Sequence, residues 1–278
     1  MIHFLEETLL LLPFLFATYL ALETLESKAG GALEKLLGRV RLFGPLVGSA
    51  AGAIPQCGVA AAAASLYAGG VITAGALVAV FLSTSDELLP VLISERVAFP
   101  ILAKILVIKL VSGVFVGFAL NAILRLLKRK RRPVSVGELC EHSHCGCSKH
   151  KGIVVPALIH TAEIFLFIVV VSGLIELCMH FFGEDALLSL RLTKPVVGEL
   201  IAGVLGLVPN CAVSVAAAKL YLAGGMSAGA LIASSLTGSG LGFLVLFRTN
   251  RNLKENLCVL AVVYVSGVLL GMLFGRFL

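Results

Sequence analysis

Six cysteines and histidines fall within eleven positions of the chain: Cys140, His142, His144, Cys145, Cys147 and His150, with Glu138 and Glu141 among them. Thiolate and imidazole are the borderline-to-soft ligands that Zn, Cu(I) or arsenic(III) accept. The spacing is not that of a zinc finger, so a flexible loop that loads or senses metal is expected. A structural Zn clip is the plainer alternative. Two more thiols stand in matching tetrapeptides, Pro55-Gln56-Cys57-Gly58 and Pro209-Asn210-Cys211-Ala212. Proline has no N–H and frees a carbonyl upstream. Each tip therefore offers backbone oxygens, an amide oxygen and a soft sulfur, unless it is only a packing kink with inert thiols.

Carboxylates and hydroxyls form the next group. Ser83-Thr84-Ser85-Asp86-Glu87 interrupts an apolar run, and its counterpart later in the chain is Thr237-Gly238-Ser239-Gly240-Leu241. Adjacent carboxylates deep in a membrane segment are costly and functional by default, so Asp86 and Glu87 are expected to bind a cation, carry protons, or both. Ser85, Thr237 and Ser239 would supply oxygens beside them. The counterpart lacks the acids, so a cation site there would be asymmetric. His160 and Glu163, like His3 and Glu6, are three residues apart and share a helix face. Such a pair can ligate a metal or pass a proton, or it can be an interfacial pair satisfied by water. Glu199 is a lesser candidate. Cys178, His180 and Cys258 have no partner pattern and read as packing or interface residues. No phosphate loop, nucleophile triad or HExxH motif occurs, so an enzyme is not expected.

The elements that must hold these groups follow from composition. Of 278 residues, 59% are hydrophobic and 14% charged, with a mean hydropathy of +1.04. Soluble domains are roughly 45–50% apolar and about a quarter charged, so a water-soluble enzyme core and a disordered chain are both excluded. Seven Cys, an odd and sparse number, argue against a disulfide scaffold. Met1–Thr8 carries two Glu and no Lys or Arg, the wrong flank for a signal peptide.

Apolar runs cover 8–26, 44–69, 71–94, 99–127, 156–182, 196–223, 225–247 and 256–276. They divide the chain into a first membrane repeat (1–127), a basic and Cys/His-rich loop (128–155) and a second membrane repeat (156–278). An offset of 154 residues lays Pro55-Gln56-Cys57 on Pro209-Asn210-Cys211, Ala74-Gly75-Ala76-Leu77 on Ala228-Gly229-Ala230-Leu231, and Val111-Ser112-Gly113-Val114 on Val265-Ser266-Gly267-Val268. Identical spacing at separate places marks an internal duplication. A membrane helix needs roughly 20 apolar residues. Proline at the centre of 44–69 and of 196–223 leaves two short arms in each, a broken or re-entrant pair. Each half then holds five segments, and an odd number turns the second upside down. The expected fold is all-α, with about ten membrane or re-entrant segments in two inverted repeats.

The charges agree with that count. With both termini outside, Lys28, Lys35, Arg39, Arg41, the cluster at 125–132, Arg248, Arg251 and Lys254 face the cytoplasm, leaving Arg96, Arg191, Lys194 and Arg276 outside. This is the positive-inside pattern. Inverted repeats with broken segments are the signature of secondary transporters, with the site near the midplane.

The two five-segment halves, the paired Pro-Gln-Cys and Pro-Asn-Cys tips, the Ala-Gly-Ala-Leu stretches and the His/Cys loop resemble the ten-span heavy-metal exporters. That family is related in name to the arsenic efflux permeases, and some members are labelled manganese transporters. The resemblance implies a bacterial or archaeal inner-membrane permease that exports a toxic metal species, Zn, Cu, Mn or arsenic. It carries over to Pro55, Gln56, Cys57, Pro209, Asn210 and Cys211. The metal is expected as substrate, with no obligatory cofactor. Expected partners are the bilayer, the metal ion and protons as coupling ion. A homodimer is compatible with the sequence, and no nucleic-acid partner is expected. The alternatives are an arsenite or organoarsenical permease and a membrane metal sensor that does not transport.

Overall fold

Small residues decide how the helices stack. The computed structural model describes residues 43–54, 57–84, 88–127, 192–209 and 211–277, with individual positions between 13 and 20 and between 158 and 174. The loop 128–155 lies outside the described residues. The first half contains α1 (residues 43–52), α2 (Cys57–Ala68), α3 (Ala74–Ser83), α4 (Leu88–Ser94) and α5 (Phe99–Leu126). The second contains α6 (Val197–Gly206), α7 (Cys211–Leu222), α8 (Ala228–Thr237), α9 (Gly242–Thr249) and α10 (Leu253–Phe274). Among the described residues there is no strand, only the bridge between Leu192 and Met226.

Both proline-centred runs are helix–tip–helix hairpins, and each arm is short. Ten residues of helix extend about 15 Å, half of a hydrocarbon core of about 30 Å. The third run of each half is broken as well. Its first piece starts at a hydroxyl cap, Thr73 accepting from the Ala76 N–H (3.1 Å) and Ser227 from the Ala230 N–H (3.0 Å). Its last turn bends its own hydroxyls back: Ser83 Oγ donates to Ala79 O (2.8 Å), and Thr237 Oγ1 to Ala233 O (3.0 Å). Such back-bonding satisfies the hydroxyl without a partner helix.

Within a half, the hairpin arm runs parallel to the broken helix. A Cβ added at Gly44 would lie 3.1 Å from Ala76 Cβ, at Gly48 2.7 Å from Ala76 O, and at Gly52 2.6 Å from Val80 O and against Ser83. Glycines four apart let backbones touch in this way. The long helix closes the unit. Cβ atoms at Gly113 and Gly117 would meet Ala79 O (2.8 Å) and Gly75 O (2.5 Å). The second half repeats the contacts 154 residues on. Gly206 abuts Ser234 and Thr237, and a Cβ at Gly271 would lie 2.7 Å from Ala233 Cβ and 2.8 Å from Gly229 O. The duplication is thus one of packing as well as of sequence.

Between the halves the contacts are reciprocal. α9 packs on α2, and its sister α4 packs on α7. Gly242 abuts Ala60 and Phe81, and the Phe81 and Phe243 rings meet edge-on at 4.9 Å. The two buried clusters formed this way each draw on both halves. At one end of the molecule, Tyr67, late in α2, donates to Glu255 in the first turn of α10 (3.3 Å). Beside it, Asn121 near the end of α5 reaches Thr73 (3.1 Å). At another point Lys104, early in α5, donates to Phe277 O just past the end of α10 (3.1 Å).

Among the described residues, three stretches are long and apolar enough to cross a membrane: Phe99–Leu126, Ala228–Thr249 and Leu253–Phe274. The middle one is 72% buried, the other two 28%, which makes it the interior span. Val107, Val111, Phe115 and Phe118 on α5, and Leu257, Val265, Leu269 and Leu273 on α10, form exposed apolar stripes. Apolar stripes on long apolar helices suit lipid, and the protein is a multi-pass membrane protein.

Candidate functional site

The hairpin tips and the helix breaks lie together. Gly52 stands against Ser83, so the tip after 52 and the break after 83 are at one depth. Gly206 against Thr237 does the same for the second half. Gly242, the first residue beyond the second break, touches Phe81 and Ala60, which are close to the first break and the first tip. Pro209 is half-buried at the second tip. Thr237 is fully buried. Ser239, in the second break, is 1% exposed, and its Oγ has no hydrogen-bond partner among the described residues. Ser112 Oγ on α5 is likewise buried and unpartnered. An unpaired hydroxyl in a dry interior is costly, so these two mark where a ligand or water would be welcome.

Among the described residues, Lys109 is a cation of this region, and it belongs to neither of the charged faces that the sequence predicts. It is 2% exposed in α5, and its Nζ donates to Ser235 O of α8 at 2.8 Å, across the two halves. The sister positions of Lys109 and Ser235 are Val263 and Phe81, both in one buried apolar cluster. Packing at such a place is therefore met without charge. The signal was legible in the sequence: a lysine eleven residues into a 28-residue apolar helix.

Other sequence candidates are placed elsewhere. Glu163 is paired with Arg248, both partly exposed (34% and 44%), and the Arg248 guanidinium lies 5.8 Å from the Phe167 ring centre. Glu163 therefore sits beside the end of α9, apart from the breaks. Glu199 is buried in the first turn of α6, with Oε1 3.4 Å from Ser227 Oγ. Cys258 is an exposed free thiol on α10. Cys57 and Cys211 are the first residues of α2 and α7, which places both at the tips. Pro55, Gln56, Ser85, Asp86, Glu87, His160 and Asn210 lie outside the described residues, as do His3, Glu6, Cys140, His142, His144, Cys145, Cys147, His150, Cys178 and His180. Among the described residues, no three His, Cys, Asp or Glu side chains form a group that could hold a metal.

The described part of the region thus supplies backbone at eight helix ends, two at each tip and each break, with buried hydroxyls and a lysine. The last carbonyls and first amides of these helices have no partner within their own helix. The chain matches over residues 11–197 the model of a family described as "Putative, 10TM heavy-metal exporter". The protein belongs to that family. For this ten-span exporter family member the matched stretch takes in the first hairpin, the first break and the Cys/His loop, and it ends at the first residue of α6. Comparison with curated proteins gives no match, and comparison with solved structures gives none.

Proposed function

We propose that the protein is a secondary transporter that exports a heavy-metal cation of the Zn, Cu or Mn class in exchange for protons. The observation that carries this reading is that each hairpin arm ends level with a helix break of its own half, and that the second break packs on Ala60 and Phe81 beside the first tip and break. Tips and breaks are reached by arms about half a bilayer long. Non-helical backbone at that depth is tolerated only inside protein or beside a water-filled cavity. Pro55, Gln56, Cys57, Pro209, Asn210 and Cys211 would face the metal, with Ser85, Asp86, Glu87, Thr237 and Ser239 around it. His160 and Glu163 would serve proton passage, and Cys140, His142, His144, Cys145, Cys147 and His150 would capture metal in the cytoplasm. No enzymatic activity is part of this reading.

The two halves are inverted in this account. The reciprocal packing of α9 on α2 and α4 on α7 supports a two-fold relation. The contacts at the helix ends support its direction. α10 begins beside Tyr67 and ends beside Lys104, while α5 begins at Lys104's end and finishes beside Thr73. The two sister helices therefore run oppositely, each long enough to cross (about 33 and 42 Å). The loop 128–155 is then cytoplasmic and both termini lie outside a bacterial or archaeal inner membrane. A homodimer is compatible with this arrangement.

A second reading is export of arsenite or an organoarsenical, in which the thiols Cys57 and Cys211 hold a neutral arsenic species and the carboxylates serve only protons. Changing Asp86 and Glu87 to amides separates the two. Zn flux should collapse while arsenite flux persists if the acids serve protons alone. The broader reading is tested by flux of Zn, Cu(I), Mn and arsenite into proteoliposomes, with metal analysis of the purified protein. Metal bound with no flux of any panel member would make the protein a sensor.

A further inference from the structure

The two halves cap their broken helices in different ways. In the first half Asn121 uses both amide atoms: Oδ1 accepts from the Gly75 N–H (3.1 Å), and Nδ2 donates to the cap Thr73 Oγ1 (3.1 Å). The sister of Asn121 is Gly275, and the sister of Pro45 is Glu199. Glu199 takes the space that Asn121 fills in the first half. Its Oε1 lies 3.4 Å from the cap Ser227 Oγ, and a Cβ on Gly229 would come within 2.5 Å of it. Oε2 is buried without a partner among the described residues, in a residue 6% exposed.

We propose that Glu199 is the proton-carrying group at the outer end of the second half. The inference rests on the proton-coupled reading above. A neutral amide fills this cap position in the first half, so packing alone does not demand an ionisable group there. A carboxylate with one oxygen buried and unused is costly in a dry interior. It is relieved when Oε2 takes a proton, and the Oε2–H bond breaks again when the proton passes inward, with no other reactant.

The place suits exchange with the outside. Glu199 stands in the first turn of α6, five residues past Lys194, one of the charges assigned to the outer face. α8 carries no titratable residue. On α10 the groups at this end are Arg276, next to the Gly275 that packs on Gly229, and Tyr264, whose hydroxyl donates to Leu200 O (3.2 Å). α7 contributes Lys219 and Tyr221.

The test is Glu199→Gln in proteoliposomes, with the panel metal that the wild type carries, measured with and without an imposed pH gradient. The wild type should accelerate several-fold under the gradient, and the ratio for E199Q should fall close to one, with partial recovery in Glu199→Asp. A wild type indifferent to the gradient removes the coupling reading, and this inference with it. A responsive wild type whose E199Q responds equally removes this inference alone. If E199Q gives no flux at all, labelling of the wild type by a hydrophobic carbodiimide decides. Modification at Glu199 that declines as pH rises supports the assignment, and a Glu199 left unmodified while other membrane carboxylates react overturns it.

Discussion

Lys109 shows how one side chain can matter more than its surroundings require. A lysine buried in a membrane interior is expensive, and the sister half places Val263 at the same position. What the lysine does is join α5 of one half to the Ser235 carbonyl of α8 in the other, beside the break that holds the unpartnered Ser239. Alternating access must remake contacts between the halves, so Lys109→Met should lower flux by on the order of tenfold. Flux is compared on protein that elutes as a monodisperse peak, because removing one partner of a buried polar contact can destabilise the fold. Full flux in K109M would remove the lysine from the mechanism.

At the scale of elements, glycine sets the depth of the site. Gly52 and Gly206 let the hairpin arms touch the broken helices at Ser83 and Thr237, and that contact keeps tips and breaks level. Gly52→Ala and Gly206→Ala should each destabilise the protein by about 1–3 kcal/mol through overpacking. Thermal unfolding in detergent would read this as a lower Tm for both variants, and an unchanged Tm would mean that the arms can separate freely. These hairpins were legible in the sequence, because proline at the centre of an apolar run leaves two arms too short to span. The interruptions at Ser83–Glu87 and Thr237–Leu241 were legible as polar intervals, whereas the helix breaks there emerge only in the structure. A hydroxyl that bonds back to its own helix looks the same in sequence whether or not the helix stops. The exchange of Asn121 and Pro45 for Gly275 and Glu199 was hidden for a different reason: the compensating residues lie on different helices, 76 positions apart in each half.

Across the whole molecule, the segregation of Lys and Arg predicts a topology, since lipid tolerates few charges and the cytoplasmic face collects them. Lys109 escaped that reasoning because it belongs to neither face. The inverted arrangement can be read by labelling with an impermeant maleimide. Arg96→Cys should react in intact cells and Arg251→Cys only after permeabilisation, while equal reaction from one side would refute it. Family membership supports a metal transporter in general. The proposed transport site stands or falls with the paired tips. Flux of Zn, Cu(I), Mn and arsenite into proteoliposomes is to be compared between the wild type and a Cys57→Ala/Cys211→Ala double variant of equal stability. The metal carried by the wild type should be carried on the order of tenfold more slowly by the variant, and equal rates would remove the tips from the transport path.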